Sequence, residues 1–397
     1  MSQPCRRTGP LLLTLALALA PWAGCGGGTS TPPVFDGGGH DGPKPQKDAS
    51  DVDVVRHDAG PKDGGARDAS DGGIPDDCTT GAAGEPTELR CTGLYSDWAT
   101  KTVASNARQY DPGLHLWSDG AGKTRWISLP AGATIDTSDM DQWTFPNGTK
   151  VWKEFTLGGK RIETRLIWKR PTGAWYLTTY RWSADGQTST TELTAGETNV
   201  GGGSYEIPTQ SNCYDCHAGR YDMLLGFEAV ALSSPQASGF TMADLTANHL
   251  LTAPPAAPLT IPGDAKTAAA LGYLHINCGT SCHNRESGEA GSSGFYTRLD
   301  VATLTSPQAT DTWTTGVGVN ASFYPPGVAQ PQIFVPCDTG SSAAYYRMSH
   351  RDGAGDAGTG TQMPPIITHQ VDSDGVAAIA AWLNGFPQCG AHDGGRD

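Results

Sequence analysis

The chain is poor in positive charge, and past its first two dozen residues it has no long apolar run. Its 27 Lys and Arg stand against 41 Asp and Glu, a formal net charge of −14. That argues against the basic footprint of a nucleic-acid binder; an acidic surface suits solubility or the steering of a basic partner. A spanning helix needs about 20 consecutive apolar residues, so no integral span is expected in the mature part. No constellation resembles a hydrolase triad. The βαβ context that would make a Cys-X-X-Cys pair a thioredoxin-like dithiol is also missing. Large apolar residues are almost absent from 26–77, a stretch of Gly, Pro, Asp and Ala. Such a segment cannot bury enough surface to offset its ordering entropy, so it is expected to be a disordered tether.

What is there begins with Arg6 and Arg7, followed by an apolar run over 11–20. This is the pattern of a secretory signal peptide, assigned to 1–24. Trp22-Ala23-Gly24-Cys25 then resembles a lipoprotein cleavage box, although an aliphatic residue is usual where Trp22 stands. Cys25 is expected to carry a lipid that anchors the chain to a membrane, with Gly26 favouring the outer membrane. The plainer reading is an ordinary secretory signal with a stray Cys. Residues 25–77 are thus anchor and linker, and the exported protein is placed in the bacterial cell envelope.

The ten cysteines divide by position. Cys5 lies in the signal peptide and Cys25 at the anchor, while Cys213, Cys216, Cys278 and Cys282 belong to two motifs. The remaining four pair most simply as Cys78–Cys91 and Cys337–Cys389 in an oxidising compartment.

The expected fold class is α+β and multidomain. An antiparallel β-sandwich-like domain over 78–203 precedes a mostly α-helical region that carries the two cysteine motifs. Residues 162–169 largely alternate apolar and polar, and 175–182 are rich in aromatics and Thr. Turn signals separate the runs: Asn147-Gly148, Gly158-Gly159, Pro171-Thr172-Gly173 and Asp185-Gly186. Seven tryptophans lie here, from Trp117 to Trp182; they suit a core, or a flat surface for a glycan. Strand signals fade near residue 204, and helices are expected over 265–276, 341–348 and 373–383. The region divides into a segment around the first cysteine motif (204–264), a domain around the second (265–390) and a disordered tail (391–397).

Cys213-Tyr214-Asp215-Cys216-His217 is the c-type haem attachment sequence. Two thiols two residues apart reach the two vinyl groups of one haem, and the following His ligates its iron. Half of a zinc site is the competing reading. Cys278-Gly279-Thr280-Ser281-Cys282-His283 has three residues between its cysteines. A local bulge would absorb the extra one, helped by the freedom of Gly279; a disulfide or an unoccupied remnant is the plainer reading. A preceding helix, a following loop with Met363-Pro364-Pro365 and a final amphipathic helix are the plan of a small cytochrome c domain. Two haem c groups are therefore expected, with His217 and His283 as iron ligands. Met363 is the favoured distal ligand, stiffened by its prolines, and Met348 is its rival. The first haem has no obvious distal partner; Met223 is named for it, ahead of Met242 and His249.

These residues resemble a known group. Leu116-Trp117-Ser118-Asp119-Gly120-Ala121 with Arg125-Trp126, then Trp143-Thr144-Phe145-Pro146-Asn147-Gly148-Thr149 and Glu163-Thr164-Arg165-Leu166, form its opening signature. Tyr273-Leu274-His275-Ile276-Asn277-Cys278, Cys282-His283-Asn284, Arg347-Met348-Ser349 and Met363-Pro364-Pro365 continue it. Over roughly 91–388 the chain is similar to bacterial cell-envelope diheme c-type cytochromes with an N-terminal β-rich domain. The resemblance implies haem on both motifs and electron transfer with redox partner proteins of unspecified identity. The family usually has two residues between the second pair of cysteines, where this chain has three. The rival expectations are a diheme redox enzyme (peroxidase-like, or the haem subunit of an oxidase) with one open iron, and a glycan-binding β module with an appended haem region.

Overall fold

Glycines at the turns and aromatic or β-branched residues between them produce one large antiparallel sheet and one small ribbon. The computed structural model describes residues 77–82, 84–286, 288–352 and 361–392. The expected signal peptide, the anchor Cys25, the linker up to Asp76 and the last five residues of the tail lie outside them. A short ribbon pairs β1 (Tyr95–Asp97) with β2 (Thr102–Val103). The main sheet has seven strands: β3 (Arg108–Asp111), β4 (Gly122–Ser128), β5 (Lys150–Leu157), β6 (Lys160–Lys169), β7 (Trp175–Trp182), β8 (Ser189–Glu192) and β9 (Ser238–Gly239). Their order is β8-β7-β6-β5-β4-β3-β9, so the sheet draws its last strand from beyond residue 204.

The turn between β5 and β6 is Gly158-Gly159, both at positive φ (54° and 77°). That matches the twist of a two-residue hairpin, which β-carbon-bearing residues resist. It pairs Leu157 with Lys160, and a bulge between Phe155 and Thr156 then shifts the register by one. Lys153 consequently faces Arg165 instead of Thr164.

Side chains alternate across the sheet, as the strand period of two requires. On one face Trp126, Trp152, Leu166, Tyr180 and Trp182 pack with Leu89, Leu94, Tyr95 and Trp98. On the other, Ile127, Val151, Ile167 and Leu177 pack with Leu224, Phe227, Leu232 and Leu245. The expected sandwich is corrected here: each face is covered by the chain before or after the sheet, not by a second large sheet. The tryptophans are mostly core. Trp126, Trp143, Trp152 and Trp182 are buried, and Trp152 and Trp182 each satisfy the indole N–H on a Thr hydroxyl at 2.9 Å. Among the described residues the exposed large apolar side chains are Tyr221, Val319, Tyr324 and Ile366, with no tryptophan.

Among the described residues eight α-helices accompany the sheet: α1 (Gln210–His217), α2 (Ala229–Leu232), α3 (Met242–Ala247), α4 (Ala265–Leu274), α5 (Gly288–Gly291), α6 (Asp311–Gly316), α7 (Ala343–Ser349) and α8 (Ser373–Leu383). The class is α+β. Asp264 and Asp372 cap α4 and α8 by accepting from Thr267 N (2.8 Å) and Gly375 N (3.0 Å), each satisfying an orphan donor of the first turn. A third core joins α4 and α8 through Leu274, Phe295, Phe334, Ile379 and Trp382. Gly375 sits against the ring of Tyr273, where any β-carbon would collide. Cys78–Cys91 and Cys337–Cys389 are disulfides, as expected. The described residues all belong to one compact unit, and among them no helix is long and apolar enough to cross a membrane.

Candidate haem cavity

The first motif is carried by α1. Thr209 caps it in a reciprocal box: its hydroxyl accepts from Asn212 N, and the Asn212 side chain accepts from Thr209 N. Positions i, i+3 and i+4 of a helix share one face, which sets Cys213, Cys216 and His217 side by side. The Nδ1 of His217 lies 2.5 Å from the carbonyl of Met223. A carbonyl only accepts, so Nδ1 carries the ring proton and Nε2 keeps its lone pair. Burial and the neighbouring Lys153 push the His217 pKa down to about 3, so the ring is neutral.

That carbonyl is what Met223 contributes. Its backbone adopts a left-handed φ of 52°, and its side chain packs against the sheet-side core. Met223 does not line the cavity, which corrects its assignment as distal ligand; Met242 and His249 do not line it either.

The second motif absorbs its extra residue by widening the helix. After α4 the chain makes a π turn over His275–Gly279. Thr280 N donates to His275 O and His283 N to Cys278 O, both at 2.8 Å and both spanning five residues. Such turns recur at functional sites. Gly279 matters here for space: a β-carbon would strike the backbone N of Arg298. Cys278 and Cys282, four apart, still share a face. His283 Nδ1 lies 3.0 Å from Phe295 O, repeating the arrangement at His217.

The two motifs touch. Ser281 Oγ donates to Cys216 O at 2.8 Å, and Asn284 Nδ2 to Gly219 O at 3.3 Å. Gly219 packs directly on the Ser281 carbonyl, leaving no room for a β-carbon. Behind them His275 is buried with Glu228 at 3.2 Å. Leu299 N donates to His275 Nδ1 at 2.9 Å, so Nε2 offers its proton to Glu228. Burial pushes the Glu228 carboxyl up, but His275, Arg220 and the amides of α2 outweigh it and hold the group below its ordinary range.

One cavity of about 590 Å³ receives both motifs, a volume typical of cofactor sites. Cys213, Cys216, His217, Cys278, Cys282 and His283 all line it, with Met348 and Met363. The four thiols are unpaired, whereas the other four described cysteines form disulfides. Burial first, then Cys282, pushes Cys216 up to about 11 and Cys278 up to about 12. A redox dithiol needs a lowered thiol pKa, so this environment disfavours that chemistry. Among the described residues no three His, Cys, Asp or Glu side chains converge as a metal cluster, which leaves the zinc reading without its four donors.

Met363 is presented by a pinned loop. Its amide donates to Arg347 O at 2.9 Å, and Gln362 Nε2 donates to Pro364 O and Thr368 O at 3.0 Å. Its rival Met348 also reaches the wall but is embedded in the α4–α8 core.

Residues of the opening signature act as a clasp. Trp117 N donates to Asn277 Oδ1 at 2.6 Å, and Asn277 Nδ2 to His115 O at 3.0 Å. The Trp117 indole donates to Gln370 O at 3.0 Å, while buried Asp119 accepts from the amides of His369 and Gln370. This segment therefore ties the sheet to the second motif and to the Met363 loop. Sequence reasoning missed the cations of the cavity: Lys123, Arg125, Lys153 and Arg165 also line it. Burial and the flanking Arg125 and Arg165 push Lys153 down to about 7. Their signal was the strand alternation of β4, β5 and β6. No protein-family model, curated protein or solved structure matches the chain.

Proposed function

We propose that this chain is an exported c-type cytochrome with two haems, similar to the envelope diheme family, and that it passes single electrons between redox partners. The observation that carries this is the shared treatment of His217 and His283. Each ring has Nδ1 held by a backbone carbonyl and Nε2 left free, beside two unpaired thiols, in one cavity. Such a backbone hydrogen bond fixes tautomer and orientation for an iron ligand. The donor set fits haem: Cys213 and Cys216 would bond one group and Cys278 and Cys282 the other. Haem iron supplies reversible one-electron exchange at a potential set by its axial ligands. The chain's own residues orient the imidazoles, exclude water with Leu225, Leu274 and Phe295, and present Met363 to the second site. Two disulfides suit an oxidising compartment and so support export; the lipid anchor at Cys25 remains part of this proposal.

One observation favours a second reading. None of the distal residues considered for the first site lines the cavity, so an open iron there would make the protein a peroxidase-like or oxidase-type redox enzyme. Optical spectroscopy of the oxidised and reduced protein, with a peroxide turnover assay, separates the two. Two low-spin haems without turnover support the carrier; a high-spin band with turnover assigns the enzyme.

A further inference from the structure

Three cations stand in one row on the sheet face that lines the cavity. Arg125 on β4 pairs across the sheet with Lys153 on β5, and Lys153 pairs with Arg165 on β6. Directly opposed residues bring their β-carbons to about 5 Å, where like charges destabilise a sheet. These positions are also withdrawn from water: Arg125 is 6% exposed and Lys153 7%, and the Arg165 side chain 23%. Long cationic side chains commonly cover apolar surface while their heads reach solvent; heads this deeply placed do not fit that pattern.

The surrounding carboxylates do not balance the row. Arg165 grips buried Glu163 with two hydrogen bonds, at 2.8 and 2.6 Å. Arg125 approaches Asp111 only to 3.7 Å, beyond hydrogen-bonding range. Lys153 donates to the carbonyl of Leu225 at 3.0 Å. Two cationic heads thus lack a hydrogen-bonded carboxylate in a cavity they share with Cys213, Cys216 and His217. Burying such charges is costly unless an anion meets them, and Arg binds carboxylates through a two-donor fork. A haem carries two carboxylates.

Resting on the haem reading of the first motif, we infer that the Arg125–Lys153–Arg165 row holds the propionate carboxylates of the haem attached at Cys213 and Cys216. The row then has two tasks: it would fix the carboxylate edge of the group, and it would raise the first haem's potential by disfavouring added positive charge on iron. A small oxyanion from solution has the same chemistry, and the test separates it.

The mature holoprotein is compared with Lys153→Gln, Arg125→Gln, Lys153→Arg and Lys150→Gln, the last on the opposite sheet face. Peptide mass first establishes haem on the fragment containing Cys213 and Cys216. Potentiometry and resonance Raman spectra of the propionate-bending bands follow. Lys153→Gln and Arg125→Gln should each move the oxidised-to-reduced ratio about tenfold toward oxidised at fixed potential, equal to about 59 mV for one electron, and should shift the bands. Lys153→Arg should restore both, and Lys150→Gln should change neither. Haem on the fragment with potential and bands unmoved in both Gln variants overturns the inference and spares the haem reading. No haem on the fragment overturns both. A potential that tracks added phosphate while the bands stay fixed assigns the row to a free anion and overturns the inference. If Lys153→Gln fails to fold, Arg125→Gln carries the same comparison.

Discussion

The two cysteine motifs reach the same geometry from different spacings. The first sits on an ordinary α-helix with its cysteines three apart. The second has them four apart, with Cys278 inside the π turn His275–Gly279 and Cys282 just beyond it. Both spacings leave the thiols lining one cavity, and both histidines end with Nδ1 on a carbonyl. An irregular motif spacing therefore does not imply a degenerate site when the helix can change its hydrogen-bond pattern beside it. Where the motifs differ is in their surroundings: methionines and a pinned loop line the cavity near the second, and cations from the sheet line it for the first.

The largest test of this equivalence removes each cysteine pair in turn. Cys213→Ala with Cys216→Ala, and separately Cys278→Ala with Cys282→Ala, should each halve covalent haem, read by pyridine haemochrome. If only the first pair mattered, the motifs would not be equivalent. Next, Gly219→Ala strikes the contact between the motifs, whereas Gly279→Val strikes the Thr297–Arg298 backbone packed against the second motif. Overpacking of this kind costs about 3 kcal/mol. Gly279→Val should lose haem only at Cys278 and Cys282, while Gly219→Ala should lower occupancy at both, as peptide mass would show.

A smaller effect is expected at the distal side. Met363→Ala should lower one of the two potentials by on the order of 0.1 V, within the ~0.8 V that axial ligands command. Met348→Ala should instead lower the melting temperature; the reverse pattern would exchange the roles of the two methionines. Smallest is the contribution of the Glu228–His275 pair behind both motifs. Glu228 is held below its ordinary value near 4.5, so its stabilisation is complete above that pH and is lost as pH falls toward the depressed value. Glu228→Gln should remove this dependence, and its stability should converge with the wild type in acid denaturation curves. Parallel curves would refute the coupling.

Much of this was legible in the sequence, for physical reasons. Period-two alternation exposed β6, aromatic and Thr content exposed β7, and helical spacing exposed α8 at the bounds expected. Parity of the leftover cysteines gave both disulfides. Helix α1 escaped because Gln210 to His217 has no amphipathic pattern; only the Thr209–Asn212 capping pair marked its start. The cation row escaped because its register depends on the bulge in β5, without which Lys153 would face Thr164. The role of Met223 was misread because a backbone carbonyl leaves no trace in residue type. The closing strand β9 pairs with β3, Asp111 with Ser238 and Tyr110 with Gly239, and no local pattern announces a pairing so distant in the chain.

The most direct test is haem stoichiometry. The mature chain, expressed with the cytochrome c maturation machinery, would be examined by pyridine haemochrome assay and intact mass together. Two covalent haems per chain is the predicted result. A single haem would contradict the equivalence of the motifs, and none would contradict the proposed function itself.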